Sequence, residues 1–457
     1  MSRQSMSAAD TAWLHMDRPA NPMVVHSVVL FGGPLEMGTV EELLQRRLVD
    51  RFPRFRQRVV EALGRPPVYE DDPSFDIANH VRRLSLPAPG DRAALQDLVS
   101  ELIAPQLDRS KPLWEANLIE GYEDGAAVLW RIHHCVADGI ALGRVLLSVC
   151  DEPEGVVVSE PSTRPARSAL RRLVDVGSGA ISLARRAGGA ALHEGMESLV
   201  HPRHLRELAG TALRDASVLA KLLGSPAEAP SGLRGPLSGT RRVAWTTPFP
   251  LSRLKKVGRR RRVTINDLLV SALAGALNDV FAPGDGLPDE IHALVPFNLR
   301  PLDEPVPTDL GNDFALILLE LPVGSVPPAE RLREVASRMG AIKRSHEAPI
   351  SYGLLGTIGL TPPWVEERLI DFFTDKASLV VTNVPGPVHE VGFGGVPITN
   401  VLVWAPYSGT LGMTVSIYSY AGDVTVGFMA DTGLIPDPEP LAWAYEEQLG
   451  ILVPAGT

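Results

Sequence analysis

The chain has only two cysteines, Cys135 and Cys150, among its 457 residues. That excludes a disulfide framework, and the expected state is a pair of reduced core thiols in a reducing compartment. Long apolar runs are lacking too. No stretch approaches the roughly 18 consecutive apolar residues of a bilayer-spanning helix. Met1 to Pro19 has no apolar run of the roughly 7–15 residues that mark a secretory signal. A soluble or peripheral intracellular protein is therefore expected. Cationic excess is also missing: Lys+Arg 44 against Asp+Glu 54 gives a net charge of −10, which speaks against a nucleic-acid binder. There is no Gly-x-Ser-x-Gly elbow, no Walker loop and no dinucleotide fingerprint. These absences weaken serine hydrolysis and leave phosphoryl and hydride transfer without support. No short repeat is visible, so a solenoid is excluded.

What is present is the composition of a folded α/β chain, 45% hydrophobic and 21% charged, with Gly 41 and Pro 40. The length suits two or three domains. Val24 to Phe31 is β-branched and ends at Gly32-Gly33, which predicts a strand and a turn. Thr39 to Glu42 reads as a capping box, followed by Leu43, Leu44, Leu48 and Phe52 at helical spacing up to Pro53. Asp91 opens a helix that Pro105 ends, and Ala126 to Ile132 is a buried strand. Asn266 to Phe281 is apolar on nearly all sides, a buried helix. Phe314 to Leu321 and Ser378 to Thr382 are strand-like, and Leu332, Val335, Met339 and Ile342 mark a helix. Met413 to Tyr420 and Val424 to Met429 form a strand pair across Ala421-Gly422-Asp423, and Asp437 caps a last helix.

One dense polar group stands in an apolar setting: His133-His134-Cys135-Val136-Ala137-Asp138-Gly139. Two histidines and an aspartate between a buried strand and a buried helix are costly unless hydrogen-bonded or used. A neutral imidazole near pH 7 can accept a proton from an alcohol. Neighbours at a strand end point opposite ways, so only one histidine can face a given pocket. His133 otherwise reads as a core histidine bonded to backbone, and Asp138 as the cap of the next helix. No third ligand lies at a zinc-like spacing, so no metal is expected.

This heptapeptide, together with its surroundings, resembles the bacterial wax ester synthase/acyl-CoA:diacylglycerol acyltransferases within the His-His-x-x-x-Asp-Gly CoA-dependent acyltransferases. The supporting marks are Asp10…Trp13-Leu14-His15…Pro22-Met23, Pro112-Leu113-Trp114-Glu115, Asn266-Asp267, Val295 to Pro301, Leu310-Gly311-Asn312 and Thr382 to Pro387. The chain departs from the pattern at Val24, where many members have a histidine, and at Cys135, which replaces a small residue. The resemblance implies an α/β fold of two chloramphenicol-acetyltransferase-like domains, residues 1–157 and 238–457, joined by a linker over 158–237. The site would lie at their interface, with a tunnel reaching it from either side. His134 would be the general base that takes the acceptor hydroxyl's proton, with no covalent intermediate. His133 would support the loop, Asp138 would orient it, and Gly139 would leave space for substrate. Asn266 is the candidate oxyanion donor, the other reading being a helix N-cap. Trp114, Asp267, Arg300, Asn312 and Asn383 would lie with the substrates. The implied reaction moves a long-chain acyl group from acyl-CoA to diacylglycerol first, or to a fatty alcohol second, at a membrane or lipid-droplet surface. No cofactor is implied beyond acyl-CoA as co-substrate. The alternatives are a polyketide or peptide acceptor, and a lipid-droplet-binding protein without catalysis.

Three local features add to this. Residues 164–221 hold ten Lys/Arg and five Asp/Glu and read as a helical connector, either solvated or resting on anionic lipid. Arg253 to Arg262 holds seven Lys/Arg and no acid, either a solvated charge run or a receiver of CoA phosphates or of the membrane surface. Arg300 is expected to pair with Asp138, since an arginine fork suits a carboxylate held in one orientation.

Overall fold

The structure, a computed structural model, describes residues 3–62, 65–151, 227–228, 231–281, 287–298, 310–312, 314–344 and 374–454. The connector read over 164–221 and Arg300 lie outside the described residues. The amino-terminal half contains β1 (Arg3–Ser5), α1 (Ala8–Met16), β2 (Val24–Phe31), α2 (Met37–Leu44), β3 (Gln57–Ala62) and β4 (Arg65–Asp71). It continues with β5 (Val81–Ser85), α3 (Arg92–Ile103), β6 (Trp114–Tyr122), β7 (Gly125–His133) and α4 (Gly139–Val149). The carboxyl-terminal half has β8 (Arg241–Trp245), β9 (Phe249–Pro250), α5 (Leu251–Arg261), α6 (Ile265–Phe281), β10 (Glu290–Asn298), β11 (Phe314–Pro322) and α7 (Pro328–Arg344). It closes with β12 (Leu379–Pro385), β13 (Gly392–Phe393), β14 (Val396–Trp404), β15 (Met413–Tyr420), β16 (Asp423–Asp431) and α8 (Glu439–Leu452).

Two large sheets organise the fold, in the orders β13-β14-β2-β7-β6-β5 and β11-β10-β12-β15-β16-β8, and β1-β4-β3 form a small third. The first large sheet is shared between the halves. β14 pairs antiparallel with β2, setting Val401 against Val29 and Trp404 against His26. The division expected between residues 157 and 238 therefore does not separate the sheets. β2 is buried along its whole length because both its faces are covered. Val25 and Val29 enter a core with Val128, Trp130 and Leu142, while Val28 and Leu30 enter another with Leu95, Val99, Val243 and Trp404. The alternation of a strand thus feeds two cores at once. A third core packs α6, α7 and α8 on the other large sheet.

Local details follow and correct the sequence expectations. Asp91 caps α3 by accepting the Ala94 N–H at 2.9 Å. β15 and β16 turn through Ala421 and Gly422, both at positive φ (47° and 93°), the geometry of a tight hairpin. Asp437 accepts the Glu439 N–H at 3.0 Å at the head of α8. The capping box at Thr39 does not form. α2 begins at Met37, after Glu36, and runs into a π-helical turn at Gln45–Val49. The extra residue of that turn brings Leu48 and Val49 both into the core. Asn266 is not an N-cap, because Thr264 and Asp267 form the reciprocal cap of α6: the Thr264 N–H donates to Asp267 (2.7 Å) and the Asp267 N–H to Thr264 Oγ1 (3.1 Å). Among the described residues no single helix is long and apolar enough to cross a membrane.

Candidate active site

β7 delivers His133 at its last position, and the chain then turns so that Val136 N–H donates to His133 O at 3.0 Å. Asp138 starts α4 as its N-cap, its Oδ1 accepting the Ala141 N–H at 2.8 Å. The loop between is pinned from several directions. His133 N–H donates to Leu113 O (3.0 Å), His134 N–H to Met23 O (2.7 Å) and Asp138 N–H to Gly311 O (3.3 Å). Asn312 Nδ2 donates to His134 O and to Asp10 Oδ1, both at 2.9 Å, so a segment of the carboxyl-terminal half clasps the histidine loop.

A buried charged floor lies beneath. Arg54 donates to Val136 O at 2.7 Å and sits 3.2 Å from Asp10 Oδ2, both side chains almost wholly enclosed. Its guanidinium lies over the Tyr69 ring, and Tyr69 OH donates to Cys135 O at 2.7 Å. With Asn312 on His134 O, three buried backbone carbonyls of the loop are satisfied by side chains distant in sequence.

The two histidines have different surroundings. His134 is 6% exposed, and its ring stacks on Trp13 of α1 at 4.0 Å between centroids. Burial pushes its pKa down to about 4, so the ring is neutral at physiological pH. His133 Nδ1 accepts the Cys135 N–H at 3.1 Å, which leaves Nε2 to carry the proton toward Asp17 Oδ1, 3.6 Å away. Asp17 also accepts from Met23 N (2.8 Å), Gln106 Nε2 (2.9 Å) and Arg109 Nη2 (3.1 Å). Burial opposes its charge, but His133 and these donors outweigh it and hold its pKa at about 2. A lowered carboxylate pKa contributes stability above its ordinary value of 3.8, lost as pH falls toward 2. Wild-type stability is therefore expected to fall by about 2 kcal/mol more than that of Asp17→Asn between pH 4 and 2, read from urea midpoints. Parallel curves would contradict this.

Beside the loop lies a cleft partly open to solvent. Its walls are apolar: Val25, Val29 and Phe31 of β2, Trp130 and Ile132 of β7, Leu142 and Leu146 of α4, Val401 and Val403 of β14, and Val384, Phe393 and Tyr418. Ile132, just before the two histidines, and Gly139, which ends the heptapeptide, both line it.

The expected site residues divide. His133, His134, Asp138, Gly139 and Asn312 come together. Trp114 instead belongs to the core: it is fully buried, donates Nε1–H to Phe55 O at 2.7 Å and stacks on His80. Asp267 is occupied in capping α6. Asn266 and Asn383 meet each other, Asn383 Nδ2 donating to Asn266 Oδ1 at 2.8 Å, which leaves the Asn266 NH2 as a donor. Asp10, Asp17, Arg54 and Tyr69 were not expected at the site. Asp10 and Trp13 stood in the opening segment, and a carboxylate there was the one available signal. Among the described residues, no three His, Cys, Asp or Glu side chains gather as a metal site.

The family model for the wax ester synthase/diacylglycerol acyltransferase catalytic domain matches residues 6–269, and that for the family's C-terminal domain matches residues 310–452. The protein named "Probable diacyglycerol O-acyltransferase tgs1" of Mycobacterium tuberculosis is 32% identical over 396 residues, 85% of this chain and 81% of its own length. Among solved structures, the wax ester synthase/diacylglycerol acyltransferase of Marinobacter aquaeolei superposes with TM-score 0.67 at 22% identity, covering 98% of each chain. The first condensation domain of the calcium-dependent antibiotic synthetase gives 0.60 at 15%, covering 99% of this chain and 96% of that one. These two likenesses show the two-domain α/β fold that the sequence leads one to expect. The matched residues span well over half of the sequence, and the chain belongs to the wax ester synthase/diacylglycerol acyltransferase family.

Proposed function

We propose that this acyl-CoA-dependent acyltransferase moves a long-chain acyl group to the hydroxyl of diacylglycerol, and secondarily of a long-chain alcohol, with His134 as general base. The observation that carries the reading is a neutral, sequestered imidazole on a pinned loop whose flanks line an apolar cleft. His134 takes the proton of the acceptor hydroxyl as its oxygen attacks the thioester carbonyl. The tetrahedral intermediate then expels the CoA thiolate, to which the imidazolium returns the proton. No covalent acyl-enzyme is needed. Asn266, with its NH2 left as a donor, is the candidate for stabilising the oxyanion, a role worth about 3–4 kcal/mol. Asp138 orients the loop as the cap of α4, and Gly139 keeps its start open.

The cleft's wall of aliphatic and aromatic side chains suits an acyl chain. A side chain added at Gly143 would meet nothing within 4 Å, because the position faces this space. Gly143→Phe is expected to fold normally and to shift the preferred donor from palmitoyl-CoA toward shorter acyl-CoAs. An unchanged chain-length profile would place the acyl chain elsewhere. Peripheral docking on a membrane or droplet would suit lipid substrates. The exposed Trp443 and Ile451 on α8 favour it.

The test is thiol release from palmitoyl-CoA by purified protein offered diolein or hexadecanol, with the lipid product identified. Triacylglycerol as the main product is expected, with wax ester second. No turnover with either alcohol in well-folded protein would favour a specialised acceptor or a lipid-binding role.

A further inference from the structure

α5 buries Leu254, Val257 and Gly258 and leaves Lys255, Lys256, Arg259 and Arg260 exposed, in two rows of residues four apart. Arg261 and Arg262 extend the same charge past the helix end. Among the described residues none of these six has an acidic partner, although the whole protein carries a net charge of −10. Cations in a last turn answer the helix dipole, but that need ends within a turn and leaves Lys255 and Lys256 unexplained.

The position of the run argues for a ligand. α5 and α6 meet at 99°, and Arg262 is separated from Asn266 by four steps of chain, at most about 14 Å. Asn266 is bonded to Asn383, and the next residue of β12, Val384, lines the apolar cleft together with Gly139. The cationic end of α5 is thus tied to the rim of the space assigned above to the acyl chain. An acyl-CoA held with its chain in that cleft and its thioester near His134 must leave its phosphorylated nucleotide outside. That group carries several negative charges and would be repelled by an acidic protein except where cations are gathered.

We propose that the exposed face of α5 and its end, Lys255, Lys256 and Arg259 to Arg262, binds the phosphates of the donor's 3′-phospho-ADP group. The proposal rests on the acyl-CoA reading above. It is tested with the variant Lys255→Gln/Lys256→Gln/Arg259→Gln/Arg260→Gln, whose changes all lie on the solvent side. KM for palmitoyl-CoA is expected to rise about tenfold, and KM for S-palmitoyl-pantetheine, which has no nucleotide phosphates, to stay at the wild-type value. Raising the salt should bring wild-type KM for palmitoyl-CoA toward that of the variant. Equal KM values for palmitoyl-CoA in detergent, or equal increases for both donors, would overturn the proposal. So would a variant that keeps its KM but no longer sediments with phosphatidylglycerol vesicles, which would make the face a lipid dock. Calorimetric titration with free CoA reads the site without turnover: weakened binding in the variant supports it, even if the enzyme acylates neither alcohol.

Discussion

His134→Ala is expected to lower kcat with palmitoyl-CoA and diolein about 10³-fold, near 4 kcal/mol of barrier, and to leave KM for the donor within a factor of about two. The ring lies on the loop rather than in the wall of the cleft, so removing it takes away a proton acceptor and little binding surface. The pH profile gives a second, independent readout. A histidine with its pKa pushed down to about 4 stays neutral, and competent as a base, through the range where an ordinary histidine would be charged. The acid limb of kcat/KM should therefore fall near pH 4 rather than near 6.5. A variant with near wild-type kcat, or a limb at the ordinary histidine value, would remove His134 from the reaction.

Arg54→Ala should be among the most destabilising substitutions in the chain, by about 3–5 kcal/mol in a urea or thermal melt. It leaves the Asp10 carboxylate, which has no exposed surface, without its cation 3.2 Å away. It also takes the donor from Val136 O, so the loop holding both histidines loses its floor. Replacing both partners, Asp10→Leu with Arg54→Met, should recover much of the stability, because no buried charge is then left alone. Activity should recover less, since Asp10 also accepts from Asn312, which holds His134 O. A loss below about 1 kcal/mol for Arg54→Ala would mean that water reaches the pair.

The elements legible in the sequence are those whose cause is local. β2 is found at its observed bounds because a β-branched run meets Gly32-Gly33, and α3 because Asp91 supplies a cap. The hairpin of β15 and β16 declares itself through Gly422. The capping box at Thr39 is a pattern of residue types only: α2 starts two residues earlier, with no side-chain cap, and buries Val40, Leu43 and Leu44. The histidine loop could be picked out, since polar groups inside an apolar stretch stand out. Its supports could not. Asp10, Arg54 and Asn312 meet at one point from separations of 44 and more than 250 residues, and no spacing rule relates them. Trp114 shows the converse: a residue in a family mark whose ring and N–H are used up in packing.

The strand that β14 lends to the histidine-bearing sheet also sets when the enzyme comes into being during synthesis. The ribosome completes the heptapeptide at Gly139, yet β2 has an unpaired edge until Val396 to Trp404 emerge. The clasp from Asn312 likewise arrives long after the loop that it holds. A nascent chain therefore carries the histidine loop for more than half of its elongation without the part of the cleft wall that β14 supplies. An open sheet edge in that interval is also the place where a chaperone has most to protect.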